Sequence, residues 1–240
     1  MTKNSAIIWK IIWLEALLMV FYTANGAFVT IMEPSSPLLQ FAVLVPLAAG
    51  IFVYLIWKNK WDRAFFGRTI TFNAQTLLLW APLLLVLVVI LAGNRGLNFN
   101  SIPNLIFMFI MQLFVVAFIE ETFFRGFMLK ALLEKGVFKA VLITSILFGV
   151  THSLQLLGGQ SMEATILQIL YAFLVGLVLS LLIMHEQSIL ITIAFHGLNN
   201  FLNFMGREES PPFSTYVIIA ILLAYSVFLW KSLAQRTNRM

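Results

Sequence analysis

Cysteine is absent from the 240 residues. Disulfides and thiolate chemistry are therefore excluded, and zinc would have only imidazoles and carboxylates to bind. Charge is scarce as well: 10% of residues are charged against 61% hydrophobic, and the mean hydropathy is +0.96. No soluble domain of this size has that balance, so the class is polytopic membrane protein. No soluble domain, fixed-period repeat or low-complexity tract interrupts it. Lipidation signals are missing, since there is no Cys and position 2 is not Gly. A net charge of +5 does not mark a nucleic-acid binder, because the basic residues sit between apolar spans, where membrane topology accounts for them.

A span needs about 20 apolar residues, and eight candidates appear: Ile11–Ile31, Leu38–Trp57, Leu77–Ala92, Ile102–Leu129, Ala140–Leu157, Ala164–Met184, Ile189–Met205 and Phe213–Trp230. The expected fold is one integral-membrane domain over 1–240, an all-α bundle of about eight transmembrane helices. The start of the chain looks like a signal peptide, but with seven spans following it reads as an uncleaved first span. The fourth candidate is too long to cross upright, so it should tilt or project past the membrane.

Placing both termini in the cytoplasm puts Lys3 and Lys10, the basic residues of 58–68 and 130–139, and Lys231, Arg236 and Arg239 inside. Twelve basic residues then lie inside and only Arg95 and Arg207 outside, a strong orientation signal. Trp9, Trp13, Trp57, Trp61, Trp80 and Trp230 fall near cytoplasmic ends, as interfacial anchors do. Residues 58–76 read equally well as an amphipathic surface segment and as an ordinary loop.

Within the apolar spans, a few polar residues stand out. Glu120, Glu121 and Arg125 lie deep in the fourth. Acids cost at least a few kcal/mol each in hydrocarbon, so they normally face a bundle interior and mark function. A purely structural alternative is an ion pair of Glu121 with Arg125 one turn on. It leaves Glu120 unexplained, because neighbours on a helix are about 100° apart. The fifth span carries His152, and the seventh carries His196 and Asn200 on one face. Counted from their cytoplasmic ends, Glu120, His152 and His196 lie on the order of 10–20 Å deep. Three spans thus deliver acids, imidazoles and an amide to one layer. His185, in a short loop with Glu186, is expected to be solvated.

A glutamate with a neutral histidine can orient and deprotonate water. A second histidine with an asparagine offers donors to an oxyanion. Arg125, bound to Glu121, would hold the acidic pair in place.

Glu120-Glu121-x-x-x-Arg125, Phe148-x-x-x-His152 and His196-x-x-x-Asn200 occur in that order on separate spans. They resemble the three signature motifs of the CAAX prenyl endopeptidase and bacteriocin-processing family of intramembrane proteases. The motifs occupy 102–205, while 1–101 carries nothing diagnostic. The resemblance implies a cavity open to the cytoplasm, with Glu120 as general base aided by His152. His196 and Asn200 would form the oxyanion site, and Glu121 and Arg125 would support. A peptide or membrane-protein segment would be the substrate, and the lipid bilayer the surroundings. A chain without extra domains looks more like the bacterial members, in a plasma membrane, where prenylated substrates are not expected. Family members are labelled metalloproteases, although a metal-free glutamate-and-water mechanism is also argued for them. Zinc would take Glu120, His152 and His196, but no His-Glu-x-x-His helix is present; no obligatory metal is expected. Two other classes stay open. A non-catalytic immunity or scaffold protein would keep the site for binding, and a proton-coupled transporter would use its acids as a relay. The transporter predicts broken helices in paired halves; Pro46 and Pro82 lie within spans, but no pairing is visible.

Overall fold

The computed structural model describes residues 3–237. Arg239, one of the orienting basic residues, lies outside them. Eight longer helices follow one another: α1 (Lys3–Met32), α2 (Ala42–Trp57), α3 (Ala74–Gly93), α4 (Ile102–Lys135), α5 (Val137–Gly158), α6 (Met162–Met184), α7 (Ile189–Phe204) and α8 (Pro212–Thr237). Six are long and apolar enough to cross a membrane, while α2 and α7 are shorter apolar helices. Among the described residues the one β-type contact is an isolated bridge from Leu97 to Gly206. The chain is an all-α, multi-pass membrane protein.

Local sequence sets the helix starts. Asn73 and Thr76 form a capping box at α3, and Ser101, Ser161 and Ser188 accept backbone N–H groups at the starts of α4, α6 and α7. Pro46 falls in the first turn of the α-helical part of α2, where a missing N–H costs nothing. Pro82 is interior to α3. Gly136, at φ +104°, reverses the chain between α4 and α5 in a single residue, a conformation that a side chain resists.

The helix α4 is not regular. Its α-helical turns give way to a π-helical stretch at Gln112–Ala117, return for Phe118–Glu121, and widen again at Thr122–Leu129. The acidic pair therefore sits on one α-turn between two wide ones. Wide turns of this kind cluster at functional sites.

The first wide stretch packs against α7, α5 runs along α6, and α8 closes over α6 and α3. Without a hydrophobic drive between helices in lipid, close approach depends on small residues. Gly197 of α7 meets Leu113 of α4 so closely that an added Cβ would lie 2.9 Å from the Leu113 Cα. Gly149 and Gly176 let α5 and α6 approach in the same way.

Three expectations need correction. His185 is buried, and one ring nitrogen lies 3.0 Å from the carbonyl of Leu229, because α8 covers the loop that sequence left open. Trp80 is not a surface anchor; it is buried, and its Nε1–H donates to Gln187 Oε1 at 2.9 Å. Residues 58–76 do not simply lie on a surface either. Ala64 and Phe65 are buried, and Arg68 donates to the carbonyls of Ile183 and Gln187, fastening the loop to the end of α6 and the turn that follows it. Phe72 stays exposed.

Candidate active site

Glu121 and Arg125 are both fully buried and one turn apart on α4, with Arg125 Nη1 donating to Glu121 Oε1 at 2.9 Å. The same carboxylate oxygen lies 2.9 Å from His196 Nδ1, so that nitrogen carries the proton it donates. The opposite ring nitrogen, Nε2, faces Glu120 Oε2 at 3.6 Å. One imidazole thereby serves two acids that differ by about 100° around their helix. The geometric objection to a simple ion pair is resolved by a third residue, delivered from α7.

Four ionisable groups thus form a chain, Glu120–His196–Glu121–Arg125. With His196 protonated, two negative and two positive charges balance, which is how charged groups persist away from water. The guanidinium is only partly satisfied by hydrogen bonds: Nε and Nη2 have no partner among the described residues. Its plane instead lies 4.3 Å from the Phe148 ring, a cation–π contact that offsets part of the desolvation.

Phe148 connects the site. Its ring meets those of His196 at 5.6 Å and His152 at 5.0 Å, each edge-on, and that of Phe124 at 5.0 Å. His152 stands where the α-helical part of α5, ending at Thr151, tightens into a 3-10 stretch, His152–Gly158. Its Nδ1 is 2.8 Å from the carbonyl of Phe148. Nδ1–H must donate there, which leaves Nε2 with its lone pair free. His152 is half-buried and within electrostatic range of Glu120 and His196. No hydrogen bond joins it to Glu120 among the described residues, so His196 is the imidazole nearer that acid.

Asn200, one turn beyond His196, is half-buried. Its Oδ1 accepts from Asn199 Nδ2 at 3.4 Å, and Asn199 Oδ1 in turn accepts from the Tyr171 hydroxyl of α6. With its oxygen engaged, the Asn200 amide has its N–H groups left to offer.

Sequence reasoning missed two residues of α1. Thr151, next to His152, donates its hydroxyl to Glu15 Oε1 at 2.5 Å. Tyr22 is within electrostatic range of Glu120, without reaching hydrogen-bond geometry. A signal was there to find: Glu15 is the only acid in the first helix, and ionisable groups inside a span are expensive.

Zinc, if bound by this set, would need Glu120, His152 and His196 gathered as ligands. Among the described residues no three His, Asp or Glu side chains are so gathered. Nδ1 of each histidine is already committed to a hydrogen bond. Nε2 of His152 and Nε2 of His196 are the nitrogens such a metal would take, with their Nδ1–H bonds as the support that metal-bound histidines commonly have.

A comparison with curated proteins returned no match. Residues 102–202 match the family model described as Rce1-like, type II CAAX prenyl endopeptidase Rce1-like. That stretch runs from the start of α4 into α7 and takes in Glu120, Glu121, Arg125, His152, His196 and Asn200. The chain carries an Rce1-like domain at residues 102–202, of the protease family that its three motifs resemble.

Proposed function

We propose that this protein is an intramembrane endopeptidase that hydrolyses a peptide bond in a peptide or membrane-protein substrate, using water activated by Glu120. The observation that carries the proposal is the charge chain itself. A buried ion pair adds little to stability compared with apolar residues of similar volume. Four ionisable groups from two helices, aimed at one another through a single imidazole, are better explained by chemistry than by folding.

In this reading Glu120 takes a proton from water as the oxygen attacks the scissile carbonyl carbon. His152 accepts the second water hydrogen at its free Nε2 and so orients the attack. Charge then develops on the carbonyl oxygen, where His196 Nε2–H and the Asn200 amide are the donors. Collapse breaks the C–N bond, and the proton held on Glu120 passes to the departing amine. Glu121 and Arg125 do not meet the substrate; they fix the ring of His196 and balance its charge. The positive-inside distribution supports a cytoplasmic site and cytoplasmic termini.

The test uses purified protein in liposomes, a peptide library and mass spectrometry of products, with and without a chelator. Wild type should cut, and Glu120→Gln and His152→Ala should each lose at least about a hundredfold. A loss of cleavage with chelator would require a metal; variants that cut as well as wild type would remove these residues from the mechanism.

A further inference from the structure

Helix α1 lies outside the stretch that matches the family model, yet it packs on α4 beside the acidic pair and on the 3-10 stretch that begins at His152. Its one acid, Glu15, is half-buried in an otherwise apolar run. One oxygen receives the Thr151 hydroxyl at 2.5 Å. That is within the short range of hydrogen bonds to a charged acceptor. The other oxygen, Oε2, is buried and has no partner among the described residues. The acid therefore has a single tie, and it leads to the residue before His152.

Thr151 and His152 each approach a carbonyl of the preceding turn. Thr151 Oγ1 lies 2.8 Å from the carbonyl of Leu147, and His152 Nδ1 lies 2.8 Å from that of Phe148. Such back-bonds bend a helix and compete with its own ladder. A hydroxyl has one proton to give, and Glu15 draws it towards α1. With α1 holding Thr151, the point at which α5 tightens is fixed in space, and with it the direction of the His152 ring.

We infer that Glu15 is a positioning residue for His152, acting through Thr151, so that α1 forms a working wall of the site rather than a membrane anchor alone. The inference rests on the protease reading. It extends the site to a helix without a motif, and it states what α1 contributes: a hydrogen-bond acceptor, not a base. Glu15 touches neither water nor substrate. Its amide counterpart should therefore serve nearly as well.

Four variants test this: Glu15→Gln, Glu15→Leu, Thr151→Val and the double Glu15→Leu/Thr151→Val, each checked for folding by its thermal midpoint in detergent. On a peptide that wild type cuts, Glu15→Gln should keep kcat within about threefold. Glu15→Leu and Thr151→Val should each lower kcat about tenfold, one hydrogen bond's worth of positioning, with KM within twofold. The double variant should be no worse than either single. Additive losses, a Glu15→Gln variant as poor as Glu15→Leu, or wild-type kcat in Glu15→Leu would each overturn the inference.

A second readout does not depend on turnover. The chain has three histidines, so nitrogen NMR of histidine-labelled protein gives three ring signatures. The His152 signature should hold in Glu15→Gln and shift in Glu15→Leu and Thr151→Val. An unmoved signature in all three overturns the inference even where cleavage is normal. If the signature shifts as expected but wild type cuts no peptide, the protease reading has failed and the positioning role stands.

Discussion

Replacing Gly197 by alanine separates geometry from stability. An added Cβ would lie 2.8 Å from Leu113 Cγ and Cδ1 and 2.9 Å from Leu113 Cα. Carbon atoms rest at about 3.5–4.0 Å, so α7 and α4 must separate by roughly 0.7 Å. The side-chain atoms can turn away, but the backbone atom cannot. Overpacking of this kind costs about 1–3 kcal/mol. Alanine also regains about 1 kcal/mol over glycine within a helix, which leaves a net loss of roughly 0–2 kcal/mol. The site is less forgiving. Gly197 adjoins His196, whose 2.9 Å bond to Glu121 crosses this same contact between helices. A misplacement near 1 Å can cost on the order of a hundredfold in rate. Thermal melting in detergent should show a small shift, while peptide cleavage should fall about a hundredfold. Gly26→Ala is the control, since nothing lies within 4 Å of its added Cβ. Wild-type cleavage by Gly197→Ala would refute the claim that this close approach sets the His196–Glu121 geometry.

Two further outcomes follow from the buried groups. Arg125→Met leaves Glu121 fully buried with His196 as its remaining partner, so it should cost up to about 3–5 kcal/mol, read as a drop in the melting midpoint; an unchanged midpoint would show that the pair does not hold α4. His185 should make stability depend on pH. Burial, chiefly, pushes its pKa below the usual 6.5, so the unfolded chain binds the proton more readily than the folded one. Its contribution is full above pH 6.5 and is lost as pH falls from there through the lowered value. Melts at stepwise lower pH should decline less steeply for His185→Gln than for wild type, and parallel declines would count against the burial.

Much of the site was legible because intramembrane charge is so costly that each acid and imidazole announces itself. Glu120, Glu121 and Arg125 could be assigned to one turn, and His196 to the same depth, from spacing alone. Spacing could not show that His196 would take both acids, since that depends on how closely α7 approaches at Gly197. Nor could it show the widened turns of α4, because an apolar run such as Leu113–Ala117 has no polar marker to reveal a change of period. His185 and Trp80 were misread for a related reason. Hydropathy places a residue along the membrane normal, but it does not say whether a neighbouring helix covers it. Glu15 was legible in principle and lacked only a partner in the sequence to give it meaning.

The two widened stretches of α4 have a bearing on how this protein can be engineered. Each extra residue in a wide turn advances the helix by about 100° relative to an ideal one. Helical-wheel assignments made from the start of α4 therefore drift out of phase before they reach the acids, and again before Leu129. Trimming a residue from 112–117 to straighten the helix would turn the acidic pair relative to everything before it. A redesign that made this helix more ideal would erase the arrangement that its irregularity provides. Stabilising changes belong on the lipid-facing sides of the other helices.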